Sequence, residues 1–271
     1  MVDKLLKLYK KVEKMYAKRG VGLYYWSPDD HRGDENFGDY LSKVIVENII
    51  DKKYGEIKND MKYNADGVKK RLFAIGSILH HASDHDVIWG SGVNGKDLGQ
   101  KISASNLDVR MVRGPITRKV LLNYNISCPP NYGEPGLLVS EFFGDIDIDE
   151  KKHTFSLVLN LNDTLLYEDK DYLIYPNWGL DRVIQRIRES EMVVSTSLHG
   201  LVIAEAFGVP ARHLLSFAEP TFKYIDYYRG TGRFDVQFAH TLEEALELGG
   251  VPAPEYDPQS MIDNFPSDLL R

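Results

Sequence analysis

The chain has 271 residues, 43% of them hydrophobic, enough to fill the cores of two compact halves or one large α/β unit. A formal net charge of −7 leaves no domain-wide excess of Lys and Arg to neutralise phosphates and argues against a nucleic-acid partner, while the single cysteine, Cys128, excludes an intrachain disulfide framework and a multi-cysteine zinc site. No uninterrupted apolar stretch approaches the roughly 20 residues of a membrane-spanning helix and the first residues lack the apolar core of a signal peptide, so the cytoplasm is the expected compartment.

Residues 1–19 are strongly basic: Lys4, Lys7, Lys10, Lys11, Lys14, Lys18 and Arg19 outnumber Asp3 and Glu13. Leu5, Leu8, Tyr9, Val12, Met15 and Tyr16 recur at helical spacing, which predicts an amphipathic helix. Such a helix either packs on the first domain with a solvated basic face or makes a peripheral contact with the anionic inner face of a membrane. Short β-rich runs then alternate with helical patterns. Strands are expected over 21–25, 71–75, 86–89 and 107–112, with helices over 40–50, 77–82 and 115–124. Pro129-Pro130-Asn131 breaks the chain, and Gly133-Glu134-Pro135-Gly136 precedes another apolar helix. A second alternation follows, with strands over 153–159, 172–175, 192–195 and 212–216 and helices over 181–188 and 199–207. Alternation of this kind is the signature of parallel βαβ architecture. The expected fold is therefore α/β, with two Rossmann-like domains, 1–143 and 144–271, joined through a charged linker at 144–152. The tail, with Pro252, Pro254, Pro258 and Pro266, is expected to run over the surface and to pack its last helix back on the first half.

Two open α/β halves placed face to face leave a cleft between the carboxyl ends of both sheets, so the loops that follow strands carry the chemistry. The first such loop, 27–39, ends in Asn36 and Asp39, which suit hydrogen bonds to sugar hydroxyls or the capping of the next helix. His80-His81-Ala82-Ser83-Asp84-His85 places His81 and His85 at i, i+4, a spacing that can hold zinc, but without the Glu of an H-E-x-x-H motif. Gly90-Ser91-Gly92-Val93-Asn94-Gly95 has the form G-x-G-x-x-G, yet the residues after it lack helical periodicity. That points away from a dinucleotide site and toward a Gly-rich loop lining the cleft. Arg113, just before Gly114-Pro115, stands at a helix start where its guanidinium can hold a carboxylate or phosphate, or serve a structural salt bridge.

The most telling stretch is Val193-Val194-Ser195-Thr196-Ser197-Leu198-His199-Gly200: an apolar strand, small hydroxyl residues, then a histidine at the start of an amphipathic helix closed by Gly208 and Pro210. Free backbone N–H groups and the positive end of the helix dipole there favour an anion. Farther on, 222–233 mixes Lys223, Arg229 and Arg233 with tyrosines and glycines. The aromatic faces suit sugar rings and the cations an anion, although a packed amphipathic helix explains the tyrosines equally well.

Asn36-Phe37-Gly38-Asp39, Gly76-Ser77-Ile78-Leu79-His80, Trp89-Gly90-Ser91-Gly92, Val112-Arg113-Gly114-Pro115, Gly133-Glu134-Pro135, Ser197-Leu198-His199-Gly200 and Lys223-Tyr224-Ile225-Asp226-Tyr227, in that order, resemble the polysaccharide pyruvyl transferase family. The resemblance extends from about Val21 to Arg233. It implies two Rossmann-like domains arranged as in GT-B glycosyltransferases, and transfer of the enolpyruvyl carbons of phosphoenolpyruvate to two hydroxyls of one sugar as a cyclic ketal. The sugar would belong to a capsule, an exopolysaccharide or a lipid-linked oligosaccharide precursor. By this resemblance Arg113 and His199 take donor-binding and catalytic roles, with Ser197, Leu198, Gly200, Lys223 and Arg233 completing the donor side. Asp39 is a further candidate base, and Asn36, Asp39, Ser91 and Asn94 make up the acceptor side. No metal and no cofactor is implied, phosphoenolpyruvate being a co-substrate. Two departures stand out: Ser197 replaces the Arg that many members carry before Leu-His-Gly, leaving Lys223, Arg229 or Arg233 to supply the cation, and Glu134 stands where Asp is frequent. With an unperturbed pKa of about 6.5, His199 is suited to give and take protons near neutral pH. The competing readings are a GT-B glycosyltransferase that uses a nucleotide sugar and a non-catalytic glycan-binding subunit.

Overall fold

The computed structural model describes residues 21–26, 36–54, 62–63, 70–97, 102–144 and 150–270. The basic stretch 1–19, the loop 27–35 and linker residues 145–149, on which several expectations fall, lie outside them. The first half builds a five-stranded sheet from β1 (Val21–Tyr24), β2 (Lys62–Tyr63), β3 (Lys70–Phe73), β4 (Val87–Trp89) and β5 (Asp108–Met111), in the order β2-β1-β3-β4-β5. The second half builds a four-stranded sheet from β6 (Ser156–Val158), β7 (Leu173–Ile174), β8 (Val193–Ser195) and β9 (Ala211–His213), in the order β7-β6-β8-β9. Every described strand pair is parallel, as the alternating pattern implies. Strands β4, β6, β8 and β9 are buried along their whole length, as strands covered on both faces must be.

The described helices are α1 (Phe37–Tyr54), α2 (Pro115–Asn123), α3 (Val139–Phe143), α4 (Leu180–Arg188), α5 (Leu198–Ala206), α6 (Phe222–Gly230), α7 (Leu242–Leu248) and α8 (Pro258–Asp263). Two differences from expectation have local causes. Helix α1 begins earlier than 40, because the Asn36 side chain accepts the Gly38 amide at 2.9 Å and caps it. The pattern at 77–82 yields only the 3-10 turn Leu79–His81, since the chain turns extended again at Ala82.

The two halves share apolar packing. One cluster joins Leu23, Trp89 and Leu137 of the first half to Val158, Val193 and Leu201 of the second. Helix α5 lies on the 3-10 turn Pro135–Leu138 so closely that a Cβ on Gly136 would fall 2.9 Å from Val202 Cγ1. The tail returns to the first half. Trp89 Nε1 donates to the Met261 carbonyl at 3.1 Å, and Phe265 meets the Trp89 ring edge-on at 5.1 Å.

In both sheets the second strand in sequence pairs on one side of the first and the third strand on the other, so the winding reverses between β1 and β3 and again between β6 and β8. Ligands in open parallel sheets bind beyond the carboxyl ends of strands at such reversals. The loops leaving β1, β3, β6 and β8 bound one common space.

Candidate active site

That space is a cavity of about 300 Å³ whose walls come from both halves. Trp26, Asn36 and Asp39 line it after β1, Ser77 after β3 and Asn94 after β4. Asn160 and Asn162 line it after β6, Ser197, Leu198 and His199 after β8, and Glu219 and Lys223 close it from the segment after β9.

The turn that presents His199 is built by hydroxyl groups. Ser195 Oγ accepts the Ser197 amide at 2.9 Å and donates to the Ser197 carbonyl at 2.7 Å, and Thr196 Oγ1 accepts the Asn160 amide at 2.8 Å. Gly200 then lets α5 start directly over the strands, because a Cβ there would lie 2.5 Å from Ser195 Oγ and 2.7 Å from Val158 Cγ1. Among the described residues no side chain caps α5 at Ser197, so the amides of its first turn keep their donors. The imidazole lies across from the start of α1, where a Cβ on Gly38 would be 2.8 Å from His199 Cγ and closer still to Nδ1. His199 Nε2 is buried and has no hydrogen-bond partner among the described residues. Burial, then the charges of Lys223 and Arg113, push its pKa down to about 3, so the ring is neutral at pH 7.

Asp39, in the first turn of α1, shifts the other way. Burial raises its pKa to about 7, with Lys223 opposing the rise, although part of the side chain is open to the cavity. One cavity thus holds a carboxyl that keeps its proton near neutrality and an imidazole that stays unprotonated. Groups driven apart in this way are suited to act as an acid and a base.

Lys223 is 9% exposed and binds Glu219 Oε2 at 2.9 Å. Burial lowers its pKa, against the attraction of Glu219. Glu219 also receives Asn162 Nδ2 at 2.8 Å and the Lys96 ammonium. Burial pushes the Glu219 pKa up, but the Lys223 charge and these hydrogen bonds outweigh it and hold the carboxyl below its usual range.

Arg113 differs from expectation. Its side chain is fully buried, with Nε on Asp226 Oδ2 at 3.2 Å, Nη1 on Ser77 Oγ at 2.6 Å and Nη2 on the Val93 carbonyl at 2.9 Å. Gly92 closes over it, a Cβ there falling 2.6 Å from Nη1. The guanidinium therefore stands behind the wall rather than in the cleft, touching the cavity through Ser77 and reaching His199 by its field. Asp226, its counter-ion, also accepts the Ile116 and Thr117 amides at 2.8 and 3.0 Å and so caps α2.

Three other sequence candidates are not at the cavity. Arg233 pairs with Glu205 at 2.6 and 2.9 Å and donates to the Pro252 carbonyl at 3.0 Å. Ser91 is buried, with its hydroxyl on the Gly76 carbonyl at 2.8 Å, and Gly200 lies behind the turn. The His81/His85 pair is not helical, since the 3-10 turn ends at His81 and His85 has φ 74°. Among the described residues no group of three His, Cys, Asp or Glu side chains is placed to hold a metal ion. Conversely, Trp26, Asn160, Asn162 and Glu219 line the cavity without having been singled out. Asn160 had the signal of a polar residue ending a strand, and Glu219 that of an acid four residues before Lys223.

The sequence profile of the polysaccharide pyruvyl transferase family matches residues 8–216. The succinoglycan biosynthesis protein ExoV of Rhizobium meliloti (strain 1021) is 28% identical over 222 residues, covering 77% of this chain and 64% of that protein. The chain thus spans less than two thirds of the length of this curated relative. Among solved structures, that of an uncharacterized protein from Klebsiella pneumoniae subsp. pneumoniae NTUH-K2044 aligns with a TM-score of 0.49 and 13% identity, over 84% of this chain and 94% of the other.

Proposed function

The chain belongs to the polysaccharide pyruvyl transferase family, and from that premise we propose that it transfers pyruvate from phosphoenolpyruvate to two hydroxyls of one sugar in a surface polysaccharide or its lipid-linked precursor. The observation that carries this reading is the pairing of a proton-holding Asp39 and a neutral His199 in one cavity, beside the buried ammonium of Lys223.

The reaction needs both protonation states. Asp39 gives its proton to the methylene carbon of the enol, which leaves a cationic centre on the neighbouring carbon. One sugar hydroxyl adds there as its proton passes to His199. Expulsion of phosphate, which takes up the proton held by His199, regenerates the cationic centre, and the second hydroxyl closes the ketal as its proton passes back to Asp39. The products are the pyruvylated sugar and inorganic phosphate. Lys223 and the first-turn amides of α5 hold the anionic donor, an arrangement that suits developing negative charge. Arg113 acts from behind, fixing Ser77 and keeping His199 unprotonated. Asn36, Asn94 and Asn160 supply the donors and acceptors that sugar hydroxyls need.

In this reading the two parallel-sheet halves form a GT-B-like pair with the cavity as their cleft. The enzyme works in the cytoplasm, with residues 1–19 meeting the inner membrane face where a lipid-linked acceptor is held. Among the described residues no helix is long and apolar enough to cross a membrane. The test is incubation with phosphoenolpyruvate and a panel of sugar acceptors, read by mass spectrometry for the added pyruvate and by acceptor-dependent phosphate release. Tight calorimetric binding of UDP with none of phosphoenolpyruvate would overturn the reading in favour of a nucleotide-sugar transferase.

A further inference from the structure

We infer that Lys96 and Lys223, held on opposite oxygens of the buried Glu219 carboxylate, form a two-lysine seat for a phosphoryl dianion that joins the two halves of the protein. Lys96 comes from the 3-10 turn Gly95–Asp97 after β4, in the first half, and its ammonium binds Glu219 Oε1. Lys223 binds Oε2 at 2.9 Å, and Asn162, from the loop after β6, adds a third donor at 2.8 Å. The approach is built into the chain, because Gly95 packs against the start of α6 where a Cβ would fall 2.7 Å from Phe222 Cβ.

Two like charges gathered on one carboxylate leave an excess of one positive charge, with Lys96 partly open to solvent and Lys223 buried. Each ammonium has three N–H donors. With one spent on Glu219, each keeps two for another acceptor, and Glu219 fixes the direction in which they point. Glu219 is thus a positioning residue and the lysines are the ligand-binding groups. A dianion with several equivalent oxygens matches such a pair, and the pair supplies the cation that Ser197 does not.

That the dianion is the phosphate of phosphoenolpyruvate rests on the function proposed above, whereas the seat itself is tested with inorganic phosphate. Titrations of both anions by calorimetry are expected to show about tenfold weaker binding to Lys96→Met and to Lys223→Met, a loss of about 1.4 kcal/mol each. Lys96→Arg restores most of the affinity, and the exposed Lys119→Met leaves it unchanged. Phosphate is expected to raise the melting temperature of Glu219→Gln more than that of the wild type, since the anion replaces the lost counter-ion. Equal phosphate affinity in Lys96→Met and wild type overturns the seat. Phosphate binding that depends on both lysines, without any pyruvyl transfer, upholds the seat and removes the proposed function. Turnover of phosphoenolpyruvate with an unchanged KM in Lys96→Met does the reverse.

Discussion

Replacing Gly38 by Ala adds one methyl group at the place where α1 faces the imidazole. Its Cβ would stand 2.8 Å from His199 Cγ and 3.0 Å from His199 Cβ, where ordinary contacts begin at 3.4 Å. The ring has to retreat by about an ångström, and a misplacement of that size costs about 100-fold in rate, or about 2.7 kcal/mol of transition-state stabilisation. The fold suffers less. Overpacking costs about 1–3 kcal/mol, while exchanging Gly for Ala within a helix returns about 1 kcal/mol. Activity and stability are therefore expected to separate, with kcat falling about 100-fold and the urea midpoint moving only slightly. Acceptor-dependent phosphate release and urea titration followed by circular dichroism measure the two. In a His199→Ala background only the 3.0 Å approach to the retained Cβ remains, so adding Gly38→Ala is expected to cost little more. A Gly38→Ala enzyme within twofold of wild-type kcat, or one that loses as much with and without His199, would refute the placement of the imidazole as the working group.

Asp39 sets the pH profile: kcat/KM is expected to fall as pH rises through about 7, where the carboxyl loses its proton, and Asp39→Asn removes that limb together with about 10²–10⁴-fold of activity. The same shift bears on folding. Folded Asp39 binds a proton up to about pH 7 while the unfolded chain releases it near 3.8, so its contribution to stability declines as pH climbs between the two. Asp39→Asn is accordingly expected to gain stability over wild type at pH 8 but not at pH 4, as read from urea midpoints. Arg233→Gln strands the buried Glu205 carboxylate and is expected to cost about 3–5 kcal/mol in stability, while the folded fraction keeps its affinity for phosphoenolpyruvate in calorimetry. Phe265→Ala, which opens a hole beside Trp89, is expected to cost about 3–5 kcal/mol, measured by tryptophan fluorescence in urea.

Much of the framework is legible in the order of residues because parallel sheets write it locally. Apolar runs followed by Gly, Ser or Asn mark the carboxyl ends of strands, and Ser195-Thr196-Ser197 before His199-Gly200 announces a histidine at the start of a helix. What stays hidden depends on partners remote in sequence. Arg113 looks ready for a ligand until Asp226, 113 positions away, is seen to claim its Nε and Ser77 its Nη1. Arg233 looks like a donor cation until Glu205 and the Pro252 carbonyl surround it. Asp39 reads as a capping or sugar-binding residue because nothing in its neighbours along the chain foretells the burial that raises its pKa. Glu219 and Lys96 meet across 123 positions, and no periodicity links them.

Helix α6 shows why these distant pairs matter together. Lys223 and Asp226 are three residues apart on it, so less than one turn separates the cavity ammonium from the carboxylate that caps α2 and neutralises Arg113. The contact between α6 and the segment leading into α2 is tight at two glycines. A Cβ on Gly114 would lie 2.5 Å from Asp226 Oδ1, and one on Gly230 would strike the Arg113 carbonyl and approach Gly114 Cα to 3.1 Å. Although the chain reaches α6 only after completing the second sheet, the helix is thereby fixed to the first. It is held to the second half as well, since Tyr224 Oη donates to the Thr196 carbonyl at 2.6 Å and Tyr227 Oη to Glu205 of α5, so Lys223 is fixed relative to both Asp39 and His199. A motion of one half against the other therefore has to break these contacts of α6 before it can change the separation of acid and base.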